Sequence, residues 1–306
     1  MAILAHAEPQ PGAEPELHVQ TSEPPRLHVR ARARELWADR ELLGNLVRKD
    51  IKVKYKSSIL GAAWSMLNPI LYLAVFAFVF SVVLKNNIPH FAVYLFSGLL
   101  AWNLFSTALG LGARSVVDNA SLVTKVYFPR ELLPISSVGT AGVDLVLQAI
   151  VLLAFMIALR AFVVGWNLLL LPLTLFDLLV FTCALNMWVA SLNVRYRDVQ
   201  YLVNIALLLW FWVTPVVYPS AFVWKPLSRH FGFKLLYLAN PMADVVLGFQ
   251  RALYGTVSPH GVQVLAPVSV GWLAMLLGAV AVGSTVLFFV AWRTFFRMSG
   301  DFAEEL

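Results

Sequence analysis

Cysteine occurs once in the 306 residues, at Cys183 inside an apolar run. No disulfide framework or cysteine-rich metal site can form, and Cys183 reads as a small buried hydrophobe. Charge is also scarce. Asp, Glu, Lys and Arg make up 13% of the chain, against roughly a quarter in soluble domains. With 59% hydrophobic residues and a mean hydropathy of +0.74, the composition is that of a membrane protein. There is no phosphate-cradling glycine loop ending in Lys-Ser or Lys-Thr, so the chain does not hydrolyse nucleotide by itself. A paired-carboxylate loop motif, as a metal-dependent glycosyltransferase would show, is missing, as are two histidines at i, i+4. The six histidines, His6, His18, His28, His90, His230 and His260, scatter among tail and loops. Catalysis and metal binding therefore rank low. No cleavable signal peptide is apparent, and residues 1–26, rich in Glu and Pro, read as a disordered cytoplasmic arm.

What is present is organised around Arg48–Pro69, RKDIKVKYKSSILGAAWSMLNP. It carries Arg48, Lys49, Lys52, Lys54 and Lys56 and then turns apolar to about Leu84. A dense basic run followed by a span-length apolar run keeps its basic end on the cytoplasmic side. Upstream, from about residue 27, Leu36, Leu43, Leu46, Val47 and Ile51 recur at helical spacing against Arg32, Arg34, Asp39, Arg40 and Lys49. One or two amphipathic helices in the headgroup plane are expected over the region 27–62. The basic end is either a solvated flank or a seat for an anionic lipid head at Arg48, Lys52, Lys54 and Lys56.

Six spans are expected, near Ala63–Leu84, Phe91–Gly112, Leu132–Leu159, Asn167–Leu192, Val199–Tyr218 and Leu265–Trp292. Each approaches or exceeds the roughly 20 residues that cross about 30 Å of hydrocarbon. An even number puts both termini on one side, with a short cytoplasmic tail over 294–306. The net charge of +6 could suggest nucleic acid, but the cations gather beside span ends. Ten Lys and Arg precede Ser57, three lie between spans two and three, two between four and five and two at the end. The opposite face has six, four of them in one long loop. Both termini are thus expected in the cytoplasm.

In the long loop Pro219–Val264, the stretch Lys234–Gly255 is apolar but interrupted by Asn240-Pro241. Asn240 suits an N-cap, Pro241 the first helical position and Gly255 the residue past the end. About 13 residues is too short to span. Two half-helices dipping in from outside is one reading, and an external amphipathic hairpin the other. Asp118–Arg130, DNASLVTKVYFPR, reads as a short capped helix stopped at Phe128-Pro129, and Asn193–Asp198, NVRYRD, as a tight charged turn. Asp177 and Asp144 fall inside spans, where a carboxylate is costly. Asp177 is expected to be a helix-packing hydrogen bonder, either to Asn186 or to a neighbouring span, and Asp144 to be structural near the cytoplasmic boundary. Trp64, Trp166 and Trp292 fit interfacial belts. Tyr72, Phe76, Trp102, Phe105, Trp210, Trp212 and Tyr218 are set deeper, either lining a passage suited to sugar rings or facing lipid.

In this order the motifs RKDIKVKYKSSILGAAWSMLNP, SLVTKVYFPRELLP, RYRD, WVTPVVYP and NPMADVVLGFQRALYG resemble type-2 ABC exporter permeases, and among them the O-antigen, teichoic-acid and galactan polysaccharide exporters. The resemblance covers about Glu35 to Arg297. It implies an all-α, six-span polytopic fold with an N-terminal interface helix and external re-entrant half-helices. It also implies a homodimer joined to two copies of a separate ATPase that binds ATP and Mg, with no cofactor in this chain. The ATPase would dock on Leu122, Lys125, Phe128, Pro129 and Arg130, with a second contact at Arg195, Arg197 and Asp198. Lys52, Lys54 and Lys56 would lie near a lateral gate for a lipid diphosphate head, and Asn240-Pro241 would cap the outer end of the channel. The expected function is outward movement of a lipid-diphosphate-linked polysaccharide across the bacterial inner membrane. The rivals are a drug or lipid permease, an envelope-synthesis enzyme and a proton-coupled carrier using Asp177.

Overall fold

The computed structural model describes residues 29–56, 58, 61, 63–79, 90–160, 165–221, 224, 237–255 and 264–306, with the side chains at 65, 68, 73, 76 and 77 outside that description. The expected arm over 1–26 lies outside it, as do the far end of span one and residues 234–236 of the loop. Among the described residues there are helices and no strands.

Two N-terminal helices, α1 (Val29–Ala38) and α2 (Arg40–Tyr55), lead to α3 (Ala63–Phe78). Next come α4 (Phe91–Arg114), a 3₁₀ turn at Val117–Asn119, α5 (Ala120–Lys125) and α6 (Leu132–Ala158). A 3₁₀ turn at Trp166–Leu169 enters α7 (Leu170–Arg195), followed by α8 (Val199–Val213), α9 (Pro241–Leu253), α10 (Val270–Met298) and α11 (Phe302–Glu305). Among the described residues, four stretches are long and apolar enough to cross a membrane: α4, α6, Trp166–Arg195 and α10.

Apolar on nearly every face, α4 cannot sit at a surface and becomes the hub. Tyr94, Phe96, Ala101, Phe105 and Ala108 are fully buried, and α6, α7, α8 and α9 pack around it. A second apolar cluster closes the end of the bundle that holds both described chain ends. It joins Leu46 of α2, Val123 of α5, Phe128, Leu132 and Leu133, Met187 and Val194 of α7, and Trp292, Phe295 and Phe302. Trp292 is therefore a core residue donating to the Glu131 carboxylate at 3.2 Å, not an interfacial belt residue. Arg32 turns inward from its predicted solvated face to grip Glu131 at 2.9 and 2.7 Å.

Span five is shorter than expected. α8 ends at Val213, giving 15 residues or about 22 Å. Thr214 is extended, at φ −92 and ψ 132, because the residue before a proline is pushed out of the helical region. The stretch 215–217 is buried outside any helix, and α9 covers its carbonyls. Gln250 donates to the carbonyls of Pro215 and Val216 at 3.0 and 3.4 Å. Irregular backbone at membrane depth is tolerated when protein covers it in this way.

The Asn240-Pro241 signal behaves as read. The Asn240 side chain accepts from the Met242 amide, Pro241 sits in the first turn, and Gly255 follows at φ 88. Residues Met242 to Ala252 are all buried, so α9 is an internal helix and not an external amphipathic hairpin. A Cβ at Gly248 would collide with Thr174; the glycine lets α9 lie directly on α7.

Candidate functional site

α2 runs alongside the first half of α6. Val47 sits where a Cβ on Gly139 would approach it to 2.8 Å, and farther along both helices Lys54 Nζ donates to Asp144 Oδ2 at 2.7 Å. That ion pair stands at the edge of a cavity of about 610 Å³. Its walls are Pro69 and Tyr72 of α3, Leu99, Trp102, Asn103 and Thr107 of α4, Asp144 and Gln148 of α6, and Asn204, Leu207, Leu208 and Phe211 of α8. A smaller cavity of about 310 Å³ shares Thr107 and Asn204 and continues past Ser106, Gly110 and Gln200 to Arg114. Together they form one groove between α4 and α8, leading from the end that holds the chain termini into the middle of the bundle.

The lining is chemically mixed. Trp102 and Phe211 meet at 5.4 Å between ring centroids, with Tyr72 opposite on α3. Asn103 donates to Gln148 at 2.9 Å, and Thr107, Asn204 and Gln200 add further amides and hydroxyls. Lys54 is held above its ordinary value of 10.5: burial pulls it down, but the hydrogen bond and the charge of Asp144 outweigh that. A raised lysine contributes its stabilisation in full below 10.5 and loses it only as pH climbs through the higher folded-state value. The ammonium is therefore charged at neutral pH.

Of the residues singled out in the sequence, Lys54, Tyr72 and Trp102 meet at this groove. Arg48, Lys52 and Lys56 are exposed on the same helix and its cap. Phe105 is fully buried, stacked on Phe181 at 5.9 Å and edge-on to Trp210 at 5.1 Å, in the core behind the groove. Trp210 donates to Asn240 at 2.8 Å, so it braces the α9 cap. Trp212 lies on the exterior, 63% exposed, and the Tyr218 hydroxyl reaches back to the carbonyls of Trp212 and Val213. The Phe76 side chain lies outside the described residues. Asp177 is buried with no hydrogen-bond partner among the described residues. Its expected partner, Asn186, donates instead to the Pro134 carbonyl at 3.2 Å.

At the closed end, Phe128 and Pro129 are buried, Leu122 is half-buried and Lys125 is exposed. Arg130 donates to the Ser299 carbonyl. Arg195 meets Glu305 of α11 at 3.1 Å, while Arg197 and Asp198 are exposed. α11 also packs on α5, so the two predicted docking segments and the C-terminal helix make one surface. The sequence reading passed over two parts of it. Tyr127 is 96% exposed beside the buried Phe128; of two adjacent aromatics, only one can face the core. Phe302, set among the polar Asp301, Glu304 and Glu305, is fully buried and anchors α11 against Phe295 at 5.3 Å.

A model of the ABC-2 type transporter family matches residues 41–254, a stretch that begins in α2 and takes in every wall of the groove. The chain is 36% identical over 273 residues to the O-antigen export system permease protein RfbA of Myxococcus xanthus, covering 89% of this chain and 98% of that protein. A Klebsiella pneumoniae protein of the same name is 30% identical over 234 residues, covering 74% and 85%. Another from Klebsiella pneumoniae is 30% identical over 219 residues, covering 69% and 79%. This chain belongs to the ABC-2 type transporter family, as a membrane permease subunit and not an enzyme.

Proposed function

We propose that the chain is the permease of an exporter that moves a polysaccharide linked to a lipid diphosphate outward across the bacterial inner membrane. The observation that carries this reading is the groove between α4 and α8. Aromatic faces at Trp102, Phe211 and Tyr72 suit the axial C–H faces of sugar rings. The amides and hydroxyls between them exchange hydrogen bonds with a sliding hydroxylated chain without trapping it. The cations at the end of α2, beside the groove, suit a diphosphate. The similarity to proteins named O-antigen export permeases supports the same cargo.

In this reading the permease domain covers residues 63–293. α3 and α8 are the two shorter of six crossings, both termini are cytoplasmic as the cation distribution demands, and α9 belongs to a re-entrant segment entering from outside. The outward apolar faces of α3 and α8, with Val75, Leu202, Ile205 and Leu209 exposed, meet a second copy. Two copies of a separate ATPase, carrying ATP and Mg, dock on the surface made by α5, residues 126–130, the 195–198 turn and α11. Closure of the ATPase moves the bundle only through contacts that differ between two permease states. The test is removal of the chain from its host. Lipid-linked glycan accumulates on the cytoplasmic side and surface glycan disappears; a drug or lipid permease would leave both unchanged.

A further inference from the structure

The Val213 end of α8 is held by side chains of another helix. Pro215 stops α8 at Val213, and the flank carrying Leu209, Trp212 and Val213 is exposed. The bonds come from α9 and its cap. Trp210 donates to Asn240 at 2.8 Å, and Asn240 donates in turn to the Thr214 hydroxyl at 3.3 Å. The Gln250 amide donates to the carbonyls of Pro215 and Val216. Gln250 is fully buried, and Gly98 of α4 leaves room for it: a Cβ there would come within 2.7 Å of its Nε2. Asn240 Oδ1 also accepts from the Met242 amide, so the cap that starts α9 is the same atom that fixes Trp210. Trp210 and Phe211 are neighbours, about 100° apart around the helix. Trp210 turns to the core, against Phe105; Phe211 turns to the groove, against Trp102.

We propose that Asn240 and Gln250 are positioning residues of the permease: through Trp210 and the Pro215 and Val216 carbonyls they hold α8 in one rotation, and so set the place of Phe211 on the groove wall. This rests on the reading of the groove as the passage for the glycan. The short buried helix and the wall of the passage then form one unit. A movement of α9 carries away the partners of an indole and two buried carbonyls. Leaving such groups unpaired in the interior is costly, so α8 follows. When α8 turns, Phe211 shifts against Trp102 and the groove changes shape. Neither Asn240 nor Gln250 has to touch the glycan to do this.

Asn240→Ser separates the two tasks of Asn240. Serine still caps α9, but its side chain is one bond shorter and gives up Trp210; Asn240→Asp keeps the acceptor oxygen and is the conservative variant. Hydrogen exchange is measured on the full chain in nanodiscs, with thermal unfolding followed for each variant. Asn240→Ser, Trp210→Phe and Gln250→Met are each expected to raise exchange at the Val213 end of α8 about fivefold, the effect of one lost hydrogen bond, with Asn240→Asp close to wild type. Asn240→Ser combined with Trp210→Phe is expected to be no worse than Asn240→Ser alone, because both break the same bond. In the host, at equal protein level, Asn240→Ser and Gln250→Met are expected to lower surface glycan severalfold, and Asn240→Asp to retain most of it. Unchanged exchange at α8 in Asn240→Ser and Gln250→Met, additive effects in the double variant, or exchange raised evenly along the chain would overturn the inference and leave the proposed function standing. Raised exchange confined to α8 and α9 with wild-type surface glycan would detach the groove from transport and overturn both.

Discussion

Glu131 is a carboxyl side chain with no exposed surface. It is satisfied by the Arg32 fork and the Trp292 indole, which tie α1, the start of α6 and α10 to one carboxylate. A buried pair of this kind contributes little against an apolar replacement of equal volume, but breaking it strands a charge. Glu131→Ala is therefore expected to cost about 3–5 kcal/mol in detergent unfolding, and Glu131→Leu with Arg32→Met to recover most of it. Equal loss in the single and double variants would contradict this account. The sequence makes the cations of α2 legible, but not their partners. Asp144 lies 90 residues from Lys54, and Glu131 lies 99 from Arg32. Which face of a short basic helix turns inward depends on packing, such as the approach at Gly139, that no local pattern records. The pairing expected for Asp177 fails on geometry: Asn186, about two and a half turns further along, points the opposite way.

Among the elements, long apolar stretches with clear end signals were read well, since their residues decide them locally. Phe91–Arg114 and Leu132–Ala158 begin where expected and end within two residues of it, and the cap at Asn240-Pro241 is as read. α8 was overrun because apolarity continues through Val217 while the helix stops before Pro215; hydropathy sees the first and not the second. The burial of α9 over Met242 to Ala252 depends on close approaches such as Gly248 against Thr174, which hydropathy does not report. At the proposed docking surface, two adjacent aromatics differ in burial. Phe128→Ala removes a buried ring and is expected to cost roughly 3–5 kcal/mol of stability. Tyr127→Ala leaves unfolding unchanged but weakens copurification with the ATPase at least severalfold. Copurification at the wild-type level with Tyr127→Ala would move the docking site elsewhere.

At the scale of the whole molecule, the chain has two layers with separate tasks. An apolar bundle centred on α4 holds a groove of aromatic and amide groups. A packed plate joins α1, α2, α5, the 195–198 turn and α11 at the end where both described chain ends lie. α2 links the plate to the mouth of the groove through Lys54 and Asp144. In the proposed function, work from a separate ATPase enters through the plate and leaves as movement in the groove. The most direct measurement is transport in proteoliposomes holding lipid-linked polysaccharide and either this chain alone or this chain with its ATPase. The account predicts that glycan crosses only when the ATPase and hydrolysable ATP are both present. Glycan crossing with the chain alone, or ATP hydrolysis by the complex with no glycan crossing, would contradict it.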